Sequence, residues 1–473
     1  MKAAKKITKK ASSSISGSNQ LRKKLQKQAE FFNSGGTMDP EVRIEALKKI
    51  KSAIMKYENE ISESLYKDLG KSRFEAFLTE IGMVYQEINH AATNVKKWAK
   101  PKSARTPFSL HPAKSWTVAE PYGRVLIIGP WNYPFQLIIA PLIGAIAAGN
   151  VAVLKPSELA PHTSAILEKL ISNTFDPSFV FVEEGGIETT QKLLTEQFDC
   201  IFFTGGSQIG KIIMEAASKH LTPVTLELGG KSPVIVNNDV PLDMTAKKIA
   251  WGKFLNAGQT CVAPDYILVH ADIKDRLIER IGLYVKIFFG DNPETSPDYP
   301  RIINIKHFNR IKDLLKNTTI VFGGFTNEKQ LYISPTVVKD VSLSHPVMKE
   351  EIFGPVLPVI EFSKIDDAVS IVRGMSKPLA LYLFTSSKEV ERKILSEISS
   401  GGVMINDTIV HIANHHLPFG GVGLSGMGAY HGKTGFDSFS HVKSVMRGSR
   451  FINLPLRYPP YKNKLKLLKL LFR

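Results

Sequence analysis

Residues 125–154, VLIIGPWNYPFQLIIAPLIGAIAAGNVAVL, hold no charged side chain. The run imitates a membrane span. However, Gly129-Pro130, Asn132, Tyr133-Pro134 and Gly149-Asn150 break it into pieces of about five to fifteen residues, short of the roughly 20 a spanning helix requires. It reads as a buried strand, a loop, a buried helix and a second buried strand. Two unalternated strands joined through a helix are the unit of a parallel sheet covered on both faces, which sets the fold class as α/β.

Working outward, the same grammar repeats. Val180–Val182, Cys200–Phe203, Val224–Leu228 and Pro233–Val236 are short apolar runs, spaced by helical stretches such as His162–Asn173 and Gln208–Ser218. The alternation resumes from Trp251 to Ser444, so a second α/β domain is expected. Upstream, residues 38–100 read as helices: Ile44, Leu47, Ile50, Ile54 and Tyr57 recur at spacings of three and four, as do Ile61 with Leu65 and the set Phe74, Phe77 and Ile81.

With 473 residues the chain has length for several domains and a large core. Its 43% hydrophobic and 22% charged residues exclude collagen-like, coiled-coil and disordered classes. Cys200 and Cys261 are its two cysteines; they cannot form a disulfide framework or a thiolate zinc site, and they point to a reducing compartment. The net charge of +17 is terminal: residues 1–30 carry nine Lys/Arg against Glu30, and residues 450–473 carry seven and no acid. The nearly neutral body argues against a nucleic-acid-binding face. Met1–Asn19 has charge but no apolar core of a secretory signal.

Four segments hold candidate chemistry. Cys261, beside Gly258 in FLNAGQTCVAPD, is either a nucleophile of lowered pKa or a buried structural thiol. Glu227 in LELGGK is either a carboxylate whose pKa burial raises toward that of a general base, or an acid paired with Lys231. Gly205-Gly-Ser-Gln-Ile-Gly210 follows a strand and opens a helix, which makes a phosphate cradle without the Rossmann spacing. That spacing does occur at Gly421–Gly426, but no strand leads into it. His411 and His415 have i, i+4 spacing, with His416 adjacent; lacking a carboxylate at ligand spacing, they are not read as a metal site.

Together the segments resemble the aldehyde dehydrogenase superfamily. The matching blocks are Gly129-Pro-Trp-Asn-Tyr-Pro134, Lys155-Pro-Ser-Glu158, Phe203-Thr-Gly-Gly, Leu226–Lys231, Gly258-Gln-Thr-Cys261 and Glu350-Glu-Ile-Phe-Gly-Pro355. Cys261–Tyr266, Leu417–Gly421, Gly428–Lys433 and Arg457–Pro460 narrow the likeness to the class 3, fatty-aldehyde branch. The resemblance spans residues 21–461. It implies an open α/β NAD-binding domain over 21–101 and 119–228, an α/β catalytic domain over 229–432, and a small β bridging arm over 102–118 and 433–450 that pairs subunits into a homodimer. It further implies Cys261 as nucleophile, Asn132 as oxyanion donor and Glu227 as the base that activates water. Lys155, Glu158, Gly205, Ser207, Gly210, Glu351 and Phe353 would hold NAD, with weaker NADP use, and Tyr133 would border the substrate pocket. One departure is Gly206, where many relatives have Ser. Related CoA-acylating enzymes lack the Glu at this place, and a non-catalytic relative would lack the thiol, amide or acid; Glu227, Cys261 and Asn132 are all present.

The two ends, 1–20 and 451–473, are read as basic tails. If 464–473 is helical, Lys466, Lys469 and Arg473 share one narrow sector, while Leu465, Leu467, Leu468, Leu470, Leu471 and Phe472 cover the rest. The pattern is that of an interfacial anchor on an anionic membrane, or of a tail packed on the body or left solvated. The expectation is a cytoplasmic enzyme, peripheral at the membrane.

Overall fold

The computed structural model describes residues 19–452 and 455–472; of the basic tail expected over 1–20, all but the last two residues lie outside them. Two sheets organise the chain. The first runs, in spatial order, Gly426–Met427, Val224–Glu227, Cys200–Thr204, Arg124–Ile128, Val151–Lys155, Val180–Val182. Its last five strands are mutually parallel, and Gly426–Met427 adds antiparallel at the edge. The quoted run is its centre: Arg124–Ile128, the wholly buried helix Gln136–Ala148, then Val151–Lys155. Gly149 ends that helix at φ 98, a conformation glycine enters without strain.

From Arg124–Ile128 the chain adds strands on one side to Val180–Val182, then returns to the other side with Cys200–Thr204. The order therefore reverses between Arg124–Ile128 and Cys200–Thr204. A ligand crevice of an open α/β sheet forms at such a switch, beyond the carboxyl ends of the strands.

The second sheet orders Thr319–Phe322, Thr336–Lys339, Val356–Phe362, Tyr266–His270, Pro233–Val236, Ala380–Phe384 and Gly402–Ile405, parallel except for its first pair. A third, antiparallel sheet joins Lys102–Ala104, Lys114–Pro121 and Ser440–Arg447. The helix Gly432–Ser438 takes up residues 433–438, expected within the arm strand, and Gly435 packs backbone to backbone on Gly144 of the buried helix. An aliphatic core lies on each sheet.

The long helix Pro40–Leu69 starts at Asp39, whose carboxylate accepts the Glu41 N–H, and stops at Gly70 with φ 69. It buries Ile44, Leu47, Ile50, Ile54, Tyr57, Ile61 and Leu65, the expected face. The expected set Phe74, Phe77 and Ile81 does not share a face: Phe74 and Phe77 are 75% and 46% exposed and Ile81 is buried. A π-helical turn at Phe77–Ile81 inserts residue spacing of five and rotates the helix face. The acids Glu75 and Glu80 turn inward instead.

Candidate active site

Every strand end at the crevice contributes a functional group. Arg124–Ile128 is followed by Gly129–Asn132, Cys200–Thr204 by Gly205–Ser207, and Val224–Glu227 ends on Glu227 itself. These segments and Cys261, Glu351 and Phe353 from the second sheet's loops line one cavity of about 730 Å³. Asn132, Gly205, Ser207, Glu227, Cys261, Glu351 and Phe353 are thus brought together.

Cys261 sits after a sharp bend. Asn256, Ala257 and Gly258 have φ of 52, 51 and 72 in succession, a costly sequence of left-handed residues that surrounding bonds must hold. They do so. Glu75 accepts the Asn256 N–H at 2.9 Å, and Asn256 Nδ2 donates to the carbonyls of Asn132 and Gln259 at 2.9 and 3.1 Å. Gln259 donates to Arg301 O and accepts from Ile303 N. A Cβ at position 258 would lie 2.3 Å from Gly354 O, which explains the glycine.

The thiol itself departs from expectation. Burial first, then the carboxyl groups of Glu351 and Glu227, push the Cys261 pKa far up rather than down; the backbone N–H groups of Cys261 and Val262 oppose this. No cation among the described residues faces the sulfur closely enough to reverse it. These surroundings favour the neutral thiol over the thiolate. Cys200 is a buried residue of its strand, with its thiol pushed up to about 12 by burial.

Asn132 is buried and donates through Nδ2 to Gln259 O at 3.0 Å. Its own carbonyl accepts from Lys71 Nζ at 2.9 Å. Lys71 and Glu80 form a wholly buried ion pair, Nζ to Oε1 at 2.6 Å, and Glu80 Oε2 accepts the N–H groups of Phe135 and Gln136. Lys71 thus fixes the Asn132 backbone, and Gln259 orients its side-chain amide.

Glu227 is 3% exposed, and both its carboxylate oxygens lack a hydrogen-bond partner among the described residues. Burial raises its pKa well above the usual carboxylate range. The alternative of a pair with Lys231 is excluded, because Lys231 binds Asp265 at 2.5 Å and the carbonyls of Val347 and Glu350. Glu351, pushed up to about 8 mainly by burial, closes the cavity against Gly229, where a Cβ would lie 1.9 Å from its Oε2.

The cofactor residues divide. Ser207 opens the helix Ser207–Ser218, whose N-cap is Gly206; nothing lies within 4 Å of a Cβ built there, so the glycine leaves room for an anion at the helix N-terminus. Gly210 stands apart from the cavity wall and lets the helix pack on Leu228. Lys155 and Glu158 follow Val151–Lys155, Nζ to Oε2 at 3.5 Å, outside the cavity lining. Lys155 is buried, which lowers its pKa, and Glu158 is partly exposed. Tyr133 is also outside the lining, its hydroxyl hydrogen-bonded to Thr260 Oγ1 at 2.6 Å and its ring under Lys71 Nζ. A dinucleotide fits this arrangement: a cavity of about 730 Å³, an open helix N-terminus and the unpartnered Glu351 Oε1 on the wall.

Sequence reading missed Lys71, Glu75, Glu80, Asn256 and Gln259, which hold the site without lining it. The signal available was a set of acids within a helix that otherwise buries apolar residues. It also missed Trp131, His307 and Arg310 on the cavity wall. Trp131 stacks near His307 at 4.8 Å and Phe353 at 5.2 Å, and burial lowers the His307 pKa to about 4.

Comparison with known proteins agrees with this geometry. The aldehyde dehydrogenase family profile matches residues 5–445. The 4,4'-diaponeurosporen-aldehyde dehydrogenase of Staphylococcus aureus is 49% identical, over 96% of this chain and 100% of its own length. Aldehyde dehydrogenase family 3 member A2 of Rattus norvegicus is 44% identical over 93% of this chain and 91% of its own. Among solved structures, a substrate-bound Staphylococcus aureus AldH superposes with a TM-score of 0.94 at 48% identity, covering 96% of this chain and 99% of that one.

Proposed function

Because the chain belongs to the aldehyde dehydrogenase family, on its family 3 branch, we propose that Cys261, Asn132 and Glu227 carry its NAD(P)-dependent oxidation of aldehydes to carboxylic acids. The observation that supports this most is the convergence of thiol, side-chain amide and unpartnered buried acid on one cavity.

Cys261 gives its proton to water in the cavity and its sulfur adds to the aldehyde carbon, whose C=O π electrons move onto oxygen. The oxygen that gains charge is held by the Asn132 amide N–H and the Cys261 backbone N–H. What the dinucleotide supplies when bound is a hydride acceptor and, in its oxidised form, positive charge that favours the thiolate. With hydride gone, the Cys261 adduct is a thioester. Glu227 takes a proton from water, the hydroxide adds to the thioester carbon, and the acid leaves as Cys261 is restored. Burial, by raising the Glu227 pKa, makes its carboxylate a stronger base than an exposed one.

Gly205, Ser207 and the helix N-terminus are proposed to hold the pyrophosphate, Gly210 to seat that helix, Lys155 and Glu158 to meet the adenine ribose, and Glu351 and Phe353 the nicotinamide end. Relatives are named for NAD and NADP alike. We assign NAD preference to this chain because the Glu158 carboxylate repels a 2′-phosphate while Lys155 partly offsets it. Tyr133, beside Thr260 and hence beside Cys261, is proposed to border the aldehyde's path.

The division into NAD-binding, catalytic and bridging parts is retained as part of this reading. Homodimerisation is proposed through the bridging sheet, whose edge strand Ser440–Arg447 exposes Val442 and Met446. A cytoplasmic, membrane-peripheral location is proposed from the tail. Among the described residues no helix is long and apolar enough to cross a membrane. The helix Lys464–Phe472 leaves Leu465, Leu467 and Leu470 62%, 51% and 80% exposed, so those side chains are free for a lipid surface. The Staphylococcus aureus relative is named for a diaponeurosporen-aldehyde, and we extend to this chain a preference for long apolar aldehydes.

The test follows reduced cofactor by absorbance with aldehydes of rising chain length. Cys261→Ala should abolish turnover, and Glu227→Gln should give a burst followed by a stall at the thioester. Full steady-state turnover in Cys261→Ala overturns the assignment.

A further inference from the structure

Outside the cavity, three imidazoles meet. His90 lies on the helix Gly82–Ala99, and His415 and His416 lie in the turn after Val410–Ala413. One ring nitrogen from each lies within 4.8 Å of the others. Ring centroids are 4.2 Å apart for His90 and His415, 4.5 Å for His415 and His416, and 4.9 Å for His90 and His416. None of the three lines the catalytic cavity.

We propose that His90, His415 and His416 form a binding site for a divalent transition-metal ion, zinc or nickel in class. Three neutral imidazoles suit these borderline ions, and three protein ligands leave a position for water. The Nδ1 atom of His415 is buried and has no hydrogen-bond partner among the described residues, so a polar atom there lacks the compensation burial demands. Glu87, one helical turn before His90, binds Gly432 N and faces His431, which places negative charge near the site.

Tetrahedral zinc with Zn–N of about 2.0–2.1 Å needs nitrogens roughly 3.3 Å apart. His416 is exposed and can rotate to close the remaining gap, and it also gives the ion its entry path. Bound metal would tie the turn of one sheet's body to a helix of the other. The preceding His411 packs against Tyr382, whose hydroxyl donates to Val262 O beside Cys261, so the tie ends near the nucleophile.

The experiment titrates the metal-stripped full chain with Zn²⁺ by calorimetry and with Co²⁺ by visible absorbance. Expected are one ion per chain at micromolar affinity, a higher thermal midpoint, and cobalt ligand-field bands without a thiolate charge-transfer band. His416→Ala, a surface change, and His90→Gln should each weaken binding at least tenfold. Unchanged affinity in both variants overturns the site. So does affinity only in the millimolar range, or a thiolate band showing that the ion sits on cysteine.

Discussion

The Lys71–Glu80 pair offers a quantitative test of how Asn132, the proposed oxyanion donor, is held. Both side chains are fully buried, and between them they make four contacts to the 132–136 loop: Lys71 to Asn132 O and the Tyr133 ring, Glu80 to Phe135 N and Gln136 N. Glu80→Gln keeps an oxygen for the two N–H groups but leaves the Lys71 cation facing a neutral amide. An uncompensated buried charge of this kind costs about 3–5 kcal/mol, less than the roughly 5–15 kcal/mol that holds a domain folded. The variant should fold with a markedly lower guanidinium midpoint. Adding Lys71→Met removes the stranded charge at the expense of one hydrogen bond, about 1 kcal/mol. The double variant should therefore be more stable than Glu80→Gln by about 2–4 kcal/mol. Both variants loosen Asn132, and since outright loss of an oxyanion donor lowers kcat roughly 100- to 1000-fold, a displaced one should lower it about tenfold. The assays are equilibrium unfolding followed by tryptophan fluorescence, and steady-state kcat. A double variant no more stable than Glu80→Gln, or wild-type kcat in Glu80→Gln, refutes the reasoning.

Three further outcomes follow from the same contacts. Glu227 has a folded pKa raised above 4.5, so its contribution to stability is complete below that value and lost as pH climbs toward the folded pKa; the thermal midpoint of Glu227→Gln minus wild type should grow as pH rises above 4.5, and a pH-independent offset counts against the unpartnered carboxyl. Glu158→Gln should raise kcat/KM with NADP relative to NAD severalfold, whereas a wild-type preference for NADP of roughly tenfold or more would place Glu158 away from the ribose. A chain ending at Tyr461 should pellet less with anionic liposomes at low salt than the full chain, and equal pelleting removes the membrane role of the tail.

Much of this was legible because the chemistry is local in sequence. The 125–154 run shows its breaks, the strand-to-glycine turn at Cys200–Gly205 shows its cradle, and Glu227 and Cys261 each sit in a short distinctive segment. What was not legible depends on distance along the chain. Lys71 and Asn132, or Glu75 and Asn256, meet through tertiary packing that no periodicity encodes. The π-helical turn at Phe77–Ile81 altered the face on which Phe74 and Phe77 were expected. His90 joins His415 and His416 from the far end of the sequence, so the spacing within 411–416 was a misleading guide to ligation. The thiol's direction of titration was also hidden, because it is set first by burial in the folded cavity and then by two acids contributed from separate strands and loops.

The bend before Cys261 has a consequence for traffic through the enzyme. The loop bearing the sulfur belongs to the second sheet's body, yet it is fastened to the first by Glu75 to Asn256, Asn256 and Gln259 to Asn132, and Leu69 to Arg301. A clam-shell opening would have to break all of these buried bonds at once and release three residues from left-handed backbone. Cofactor and product must therefore exchange by threading past side chains at the mouth, while the jaws stay shut around the sulfur.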